Sequence, residues 1–223
     1  MDTPQIRVSI EAVIFDCDGT LVDTESIENT VLLQYARESG LSLTLEEAVR
    51  KFAGVKMSDC VEMIEAITGE SLPAEFVSEF RRRCREEFEA GLQPIDGVVE
   101  VLSELQLPYC VASNGPLKKL ELTLGLTGLK RFFEDRVFSA YTIDSWKPAP
   151  DLFLHAAREL ETSPQHCVVV DDSLPGVQAG IAAGMHVIAF RMSDLPPEID
   201  ACVHSVSDFR EIPSVIGNHE KHE

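Results

Sequence analysis

The sequence predicts an α/β protein: a doubly wound parallel sheet into which an all-helical segment is inserted. Short apolar runs recur along the chain, helical patterns separate most of them, and the interval after the first run contains helical patterns alone. Apolar runs that do not alternate with polar residues are typical of parallel strands buried on both faces. Strands and helices in alternation therefore indicate a sheet covered by helices on both sides.

The predicted strands are short runs rich in β-branched and aromatic residues, bounded by Gly, Pro, Asp or Ser. Residues 151–160 illustrate the helical pattern between two such runs, with apolar residues at helical spacing. The runs are residues 12–15, 109–112, 136–138, 167–170 and 187–190.

The inserted segment predicts a separate helical cap. Its amphipathic patterns cover residues 26–39, 44–52, 58–68 and 73–90, and a turn-forming stretch at 94–97 precedes the next core helix, 98–105. We therefore expect a core of residues 1–22 and 95–223 and a cap of residues 23–94, able to close over the sheet. The arginine run at 81–85 is surrounded by glutamates, which favours a solvated, salt-bridged face over an anion site.

Composition limits the classes of partner. With 19 Lys and Arg against 38 Asp and Glu, the formal net charge of −19 argues against nucleic acid or an anionic membrane. The six cysteines are scattered without zinc-like spacing, which fits reduced thiols in a cytoplasm. The first residues do not resemble a signal peptide, and no run approaches the ~20 apolar residues of a membrane helix. We expect a soluble, cytoplasmic protein.

Polar residues follow the predicted strands where each strand ends. Ligands of open parallel sheets bind outside the carboxyl ends of the strands, so these side chains are expected to converge. Carboxylates would come from two separate strands. In chain order the residues are Asp16 and Asp18, Ser113 and Asn114, Lys147 in the loop 146–151, and Asp171 with Asp172.

Such a cluster predicts a metal site, because unpaired buried carboxylates repel one another and cost several kcal/mol. Oxygen ligands with room for water select Mg²⁺ over Zn²⁺ or Ca²⁺. Lys147 would add a compact cation for an anionic substrate, and Ser113 a hydrogen-bond donor. Taken singly, the same motifs also fit ordinary turns or a helix cap at 171–173. The four-residue glycine spacing at 176, 180 and 184 indicates helix packing and a helix end.

Four short motifs in order carry a family resemblance: residues 16–20 (DCDGT), 113–114 (SN), 147–148 (KP) and 171–172 (DD). With them the chain resembles the haloacid dehalogenase-like (HAD) hydrolases, which have a Rossmann-like core. Within that superfamily it is similar to the β-phosphoglucomutase-like branch, most closely to its group of bacterial 6-phosphogluconate phosphatases. The resemblance covers nearly the whole chain.

The resemblance implies the chemistry of the site. Asp16 would be the nucleophile that forms an aspartyl-phosphate, and Asp18 would protonate the leaving oxygen and then activate water. Mg²⁺ would be held by Asp16, the backbone carbonyl of Asp18 and Asp172, with Asp171 nearby or bound through water. Ser113 and Lys147 would hold the phosphoryl group. Substrate-binding residues would be Thr20 and Asn114 in the core and Lys51, Gly54 and Lys56 in the cap.

The expected activity is Mg²⁺-dependent hydrolysis of small phosphate monoesters, sugar or sugar-acid phosphates such as 6-phosphogluconate. The expected state is a monomer or weak homodimer. Asp18 disfavours a dehalogenase, which lacks this second aspartate, and a Schiff-base role for Lys51 or Lys56 is not favoured. The main alternative is a phosphosugar mutase, against which Met57 stands in place of an arginine and Glu28 in place of a histidine. A catalytically silent phospho-metabolite-binding protein remains a further alternative.

Overall fold

The computed structural model describes residue 6, residues 8–52, residue 55 and residues 57–217. Two compact units divide the chain: one comprises the described residues up to Val22 and from Gln93 onward, and the other Asp23–Leu92. The first boundary between the units lies at 22/23, the position given for the predicted domains. The second lies at 92/93, two residues before the predicted 94/95. Within the described residues, no helix combines the length and apolarity needed to cross a membrane.

The first unit is built on a parallel sheet, which within the described residues has six strands in the order β3-β2-β1-β4-β5-β6. The doubly wound parallel sheet predicted from the sequence is thus confirmed. The strands are β1 (Ala12–Phe15), β2 (Tyr109–Ser113), β3 (Val137–Ser139), β4 (Cys167–Asp171), β5 (His186–Phe190) and β6 (His204–Val206).

Alternate residues of the central strands pack on opposite faces of the sheet, and both faces are buried. On one face Ile14 belongs to a core cluster with Leu152 and Val177 from two flanking helices. On the other, the ring of Phe15 stacks on Phe209 at 5.6 Å between centroids. Burial on both sides explains why the strands read as continuous apolar runs. The helices of this unit come after the four of the second unit in chain order and are α5 (Val98–Glu104), α6 (Leu117–Leu126), α7 (Lys130–Phe133), α8 (Ala140–Ile143), α9 (Asp151–Glu159), α10 (Leu174–Ala182), α11 (Pro197–Asp200) and α12 (Ile212–Val215).

The second unit is helical in all its regular elements within the described residues. Tyr35 and Phe76 stack with centroids 4.4 Å apart, and the Arg83 guanidinium lies 4.0 Å from the Tyr35 ring centroid. The predicted salt-bridged face of the arginine run is confirmed, since Arg83 bonds both Glu38 and Glu79. Its helices are α1 (Thr24–Glu38), α2 (Leu45–Phe52), α3 (Met57–Thr68) and α4 (Phe76–Gly91).

The chain leaves the sheet unit and returns to it at adjacent points. Val22 and Pro94 form an antiparallel bridge, and the Ile95 N–H donates to the Leu21 carbonyl at 2.9 Å. The helix after the return, α5, begins after Gly97, whose φ of 87° is left-handed. The exit and re-entry of the helical segment are therefore tied together within the sheet unit.

Candidate active site

The predicted polar residues gather at one edge of the sheet because the strands are parallel. Phe15 pairs with Val170, so Asp16 and Asp171 each lie one residue beyond this level. The Asp16 N–H donates to the Val170 carbonyl at 2.9 Å, which continues the ladder past the end of β1. The carboxyl groups of two strands thus converge as the sequence predicted.

Three aspartates form a compact acidic cluster. Oxygen atoms of Asp16, Asp171 and Asp172 all lie within 4.8 Å of one another. Asp171 is fully buried, Asp16 is 7% exposed, and Asp172 is partly exposed. Burial raises the pKa of Asp16 to about 7, opposed by Lys147 and reinforced by Asp171 and Asp18. Oxygen-only donors under this mutual repulsion fit a hard divalent cation.

Lys147 lies between two of these carboxylates. Its Nζ contacts Asp16 Oδ1 and donates to Asp171 Oδ2 at 2.8 Å, and the side chain is almost fully buried. Burial disfavours the charge of Lys147, but the two carboxylates outweigh it and raise its pKa above the ordinary value. The peptide bond from Lys147 to Pro148 is cis. Asn114 holds this backbone, since its Oδ1 accepts from the Lys147 N–H at 2.9 Å.

Asp171 is engaged by protein donors at both oxygens. Lys147 binds Oδ2, while the backbone N–H and hydroxyl of Ser173 donate to Oδ1 at 2.9 and 2.7 Å. A Cβ atom at Gly176 would lie only 1.9 Å from Asp171 Oδ2. Gly180 packs close to Val187 of β5, and Gly176 packs against the carboxyl group of Asp171 at the end of β4, so both glycines allow a close approach to the sheet. Because Ser173 holds one oxygen of Asp171 and the other binds the Lys147 ammonium, Asp171 orients Lys147.

Asp172 is oriented by the segment that follows Asp16. The buried hydroxyl of Thr20 donates to Asp172 Oδ1 at 2.6 Å. Gly19 has a φ of 79°, and a Cβ there would lie 2.1 Å from Asp172 Oδ2. The DCDGT segment thus positions a third acid, Asp172, besides supplying two of its own. The contact that the structure shows for Thr20 is with Asp172, and its predicted substrate contact stays a prediction.

Asp18 and Ser113 line the same edge. Asp18 Oδ1 lies 3.0 Å from the ammonium of Lys119, near the start of α6. Ser113 is 2% exposed, and its Oγ accepts from the Gly115 N–H at 3.1 Å. Ser139, at the end of β3, donates to the Gly115 carbonyl at 2.6 Å. The loop after β2 is therefore held at both sides of Gly115.

Sequence reasoning missed two residues of this site, Lys119 and Ser139. The helix cap predicted at 171–173 is confirmed for Ser173, whose hydroxyl accepts from the Gly176 N–H at 3.1 Å. The position of Lys119, three residues after a Gly-Pro turn at a helix start, is the one signal that could have identified it.

Of the three predicted substrate-binding residues in the helical unit, the structure describes Lys51 alone. Lys51 is exposed near the end of α2 in the helical unit. Gly54 and Lys56 lie outside the described residues. A role for these three residues in substrate binding stays a prediction.

Comparisons with known proteins identify the family of the chain. A family model described as haloacid dehalogenase-like hydrolase matches residues 10–184. Over 184 residues the chain is 40% identical to 6-phosphogluconate phosphatase of Escherichia coli K12, covering 81% of this chain and 82% of that protein. It is 33% identical to Hexitol phosphatase A of the same organism, covering 86% and 90%. A conserved haloacid dehalogenase-like protein of unknown function from Agrobacterium tumefaciens superposes with a TM-score of 0.83 at 33% identity, covering 94% and 98%.

Proposed function

Because the chain belongs to the haloacid dehalogenase-like hydrolase family, we propose that it hydrolyses phosphorylated sugars or sugar acids such as 6-phosphogluconate through an aspartyl-phosphate. The chain is a phosphatase of small phosphate monoesters. The observation that carries the proposed mechanism is the contact of Lys147 with two of three clustered aspartates.

Asp16 acts as the nucleophile. One of its carboxylate oxygens bonds to phosphorus while the ester P–O bond breaks, and Asp18 gives its proton to the departing alcohol oxygen. In the second step Asp18 takes a proton from water as the water oxygen bonds to phosphorus and the Asp16–phosphorus bond breaks. Phosphate leaves and both side chains return to their starting states.

Lys147 and Ser113 hold the transferring phosphoryl group. The buried ammonium of Lys147 faces Asp16, where it places a fixed positive charge beside the reacting oxygens. Asp171 and Asn114 maintain this position from two sides, one through the ammonium and one through the Lys147 backbone. The Ser113 hydroxyl lies at the end of the neighbouring strand and can donate to a phosphoryl oxygen.

Mg²⁺ is the metal we propose for the acidic cluster. Asp16, Asp172 and the backbone carbonyl of Asp18 would hold it, which fits the oxygen-only donor set and the repulsion among these groups. Asp171 has its oxygens bonded to Lys147 and Ser173, so we assign it a place beside the metal or linked through water. When bound, the cation neutralises charge on the phosphoryl oxygens.

We assign the helical unit, predicted as residues 23–94, the role of a specificity cap, and Lys51, Gly54 and Lys56 the role of substrate-binding residues. The division of the chain into two compact units supports this assignment. We further propose a cytoplasmic monomer or weak homodimer that does not bind nucleic acid. Six free cysteines support the cytoplasmic location, and a net charge of −19 supports the expectation that nucleic acid is not bound.

Replacement of the nucleophile tests the mechanism. Asp16→Asn should lower Mg²⁺-dependent phosphate release from 6-phosphogluconate by about 1000-fold or more. Asp200→Asn, at an exposed position of α11, is the matched control and should behave as the wild type. Phosphate release is measured with Mg²⁺ and with EDTA across a panel of metabolites. Wild-type turnover by Asp16→Asn would refute the role of Asp16.

A further inference from the structure

Lys119 forms an ion pair with Asp18 that the proposed mechanism has not used. The ammonium lies 3.0 Å from Asp18 Oδ1, and the two side chains are only 21% and 19% exposed. The backbone of Lys119 is itself fixed, since its N–H donates to the Pro116 carbonyl at 2.8 Å. Its carbonyl accepts from the buried hydroxyl of Thr123 at 3.1 Å. Lys119, whose backbone is held by two hydrogen bonds, thus contacts Asp18, the residue proposed to protonate the leaving oxygen.

The other oxygen of the same carboxyl group lies close to the loop after β2. A Cβ atom at Gly115 would lie 3.2 Å from Asp18 Oδ2 and 3.4 Å from Ser113 Oγ. Asp18 Oδ1 therefore faces Lys119 while Oδ2 faces the loop after β2. The loop is itself held by the hydrogen bond from Ser139 to the Gly115 carbonyl. The orientation of the Asp18 carboxyl group is set from two sides.

We propose that Lys119 is a positioning residue that holds the Asp18 carboxyl group in the orientation needed at the leaving-group oxygen. This inference rests on the proposed function, in which Asp18 transfers the proton. A general acid contributes about 10²- to 10⁴-fold to a rate, and a misplacement of about 1 Å can remove much of this. Removal of the Lys119 side chain should therefore lower the rate of the step in which Asp18 transfers the proton.

The adjacent Lys118 serves as a control residue for Lys119. It lies on the same turn of α6 but is exposed. Exposed ion pairs contribute little because water and salt screen them, whereas a pair about four-fifths buried holds its geometry better. Lys118 and Lys119 thus carry the same charge on the same helix, and Lys119 forms the ion pair with Asp18.

The inference is tested with two kinds of substrate in the full-length protein. Lys119→Met keeps the unbranched stem and removes the charge. With 6-phosphogluconate, whose alkoxide leaving group needs a proton, kcat/KM should fall about 10- to 100-fold. With p-nitrophenyl phosphate, whose leaving group departs without protonation, it should fall less than about 3-fold. Lys119→Arg should recover part of the activity, and Lys118→Met should match the wild type.

A double-mutant cycle shows whether Lys119 acts through Asp18. With 6-phosphogluconate, Lys119→Met added to Asp18→Asn should cause no further loss of kcat/KM. The inference is overturned by an equal loss on both substrates, by a further loss in the Asp18→Asn background, or by wild-type behaviour of Lys119→Met. Activity retained by Asp16→Asn would instead refute the proposed function. An inactive Asp16→Asn beside an unaffected Lys119→Met would refute the Lys119 inference alone.

Discussion

Substituting Gly176 by alanine should test how tightly the acid site is packed. The Cβ of Gly176→Ala would lie 1.9 to 2.1 Å from all three atoms of the Asp171 carboxyl group, whereas real Cβ atoms essentially never come within 3.0 Å of such neighbours. The carboxyl group or the start of α10 must therefore shift by roughly 1 Å. Ser173 belongs to the same helix start, so a shift away from Gly176 also lengthens its 2.7 and 2.9 Å bonds to Asp171.

The expected cost follows from two contributions. A hydrogen bond to a charged group contributes about 1.5–3 kcal/mol, and overpacking a buried position costs about 1–3 kcal/mol. We expect Gly176→Ala to lower the free energy of unfolding by about 3 kcal/mol. In a protein of this size that corresponds to a Tm about 6–12 °C lower. Since Asp171 binds the Lys147 ammonium, kcat should fall as well.

Thermal unfolding followed by circular dichroism measures the shift, and phosphate release measures the activity. Gly125→Ala is the matched control, because Gly125 lies in α6 and a Cβ there meets no atom within 4 Å. Removing a helical glycine of this kind should stabilise the protein by about 0.5 kcal/mol. A Gly176→Ala variant with the Tm and kcat of the wild type would refute the proposed packing of Asp171.

Two further predictions concern pH. The pKa of Asp16 is raised to about 7, and the proposed Mg²⁺ would bind the ionised carboxylate. Raising the pH from about 6 to about 8 should therefore lower the apparent Kd for Mg²⁺ about tenfold in calorimetric titrations, and a constant Kd would contradict this. Burial, reinforced by His204 and His166, lowers the pKa of His186 below its ordinary value of 6.5. The unfolded chain then binds the proton more readily, so stability should fall as the pH drops below about 6.5. The loss of Tm between pH 7.5 and pH 5 should be smaller in His186→Gln, and an unchanged loss would rule out this histidine as a cause.

Much of the sheet could be predicted because buried parallel strands leave a strong signal. The five apolar runs correspond to β1–β5 within one residue at each end. The sixth strand, His204–Val206, was missed because its three residues include a histidine and an exposed serine. Helix α4 begins at Phe76, three residues after the predicted start, because Pro73 to Phe76 forms a turn. Short edge strands and helix starts depend on tertiary contacts that local patterns do not encode.

In the candidate site, too, some residues could be predicted from local sequence patterns and others depend on tertiary contacts. The strand-end rule brought Asp16 and Asp171 together, because parallel strands direct their carboxyl ends to one edge. It could not identify Gly176 or Lys119. The helical spacing of Gly176 indicates packing in general, and only the fold shows that the facing group is a carboxylate. The ion pair of Lys119 joins residues about a hundred positions apart in the sequence, beyond the reach of any local pattern.

The bridge between Val22 and Pro94 has a consequence for how this protein can change over evolutionary time. The two ends of the helical segment are paired side by side. For the sheet unit, the segment therefore connects two adjacent points of the backbone, as a hairpin turn does. Closing a longer loop costs little extra entropy, about 0.6 kcal/mol for each doubling of length. The segment between these two residues can therefore be lengthened, shortened or exchanged while β1 and β2 remain paired. Such changes would leave the acidic cluster of the sheet unit in place.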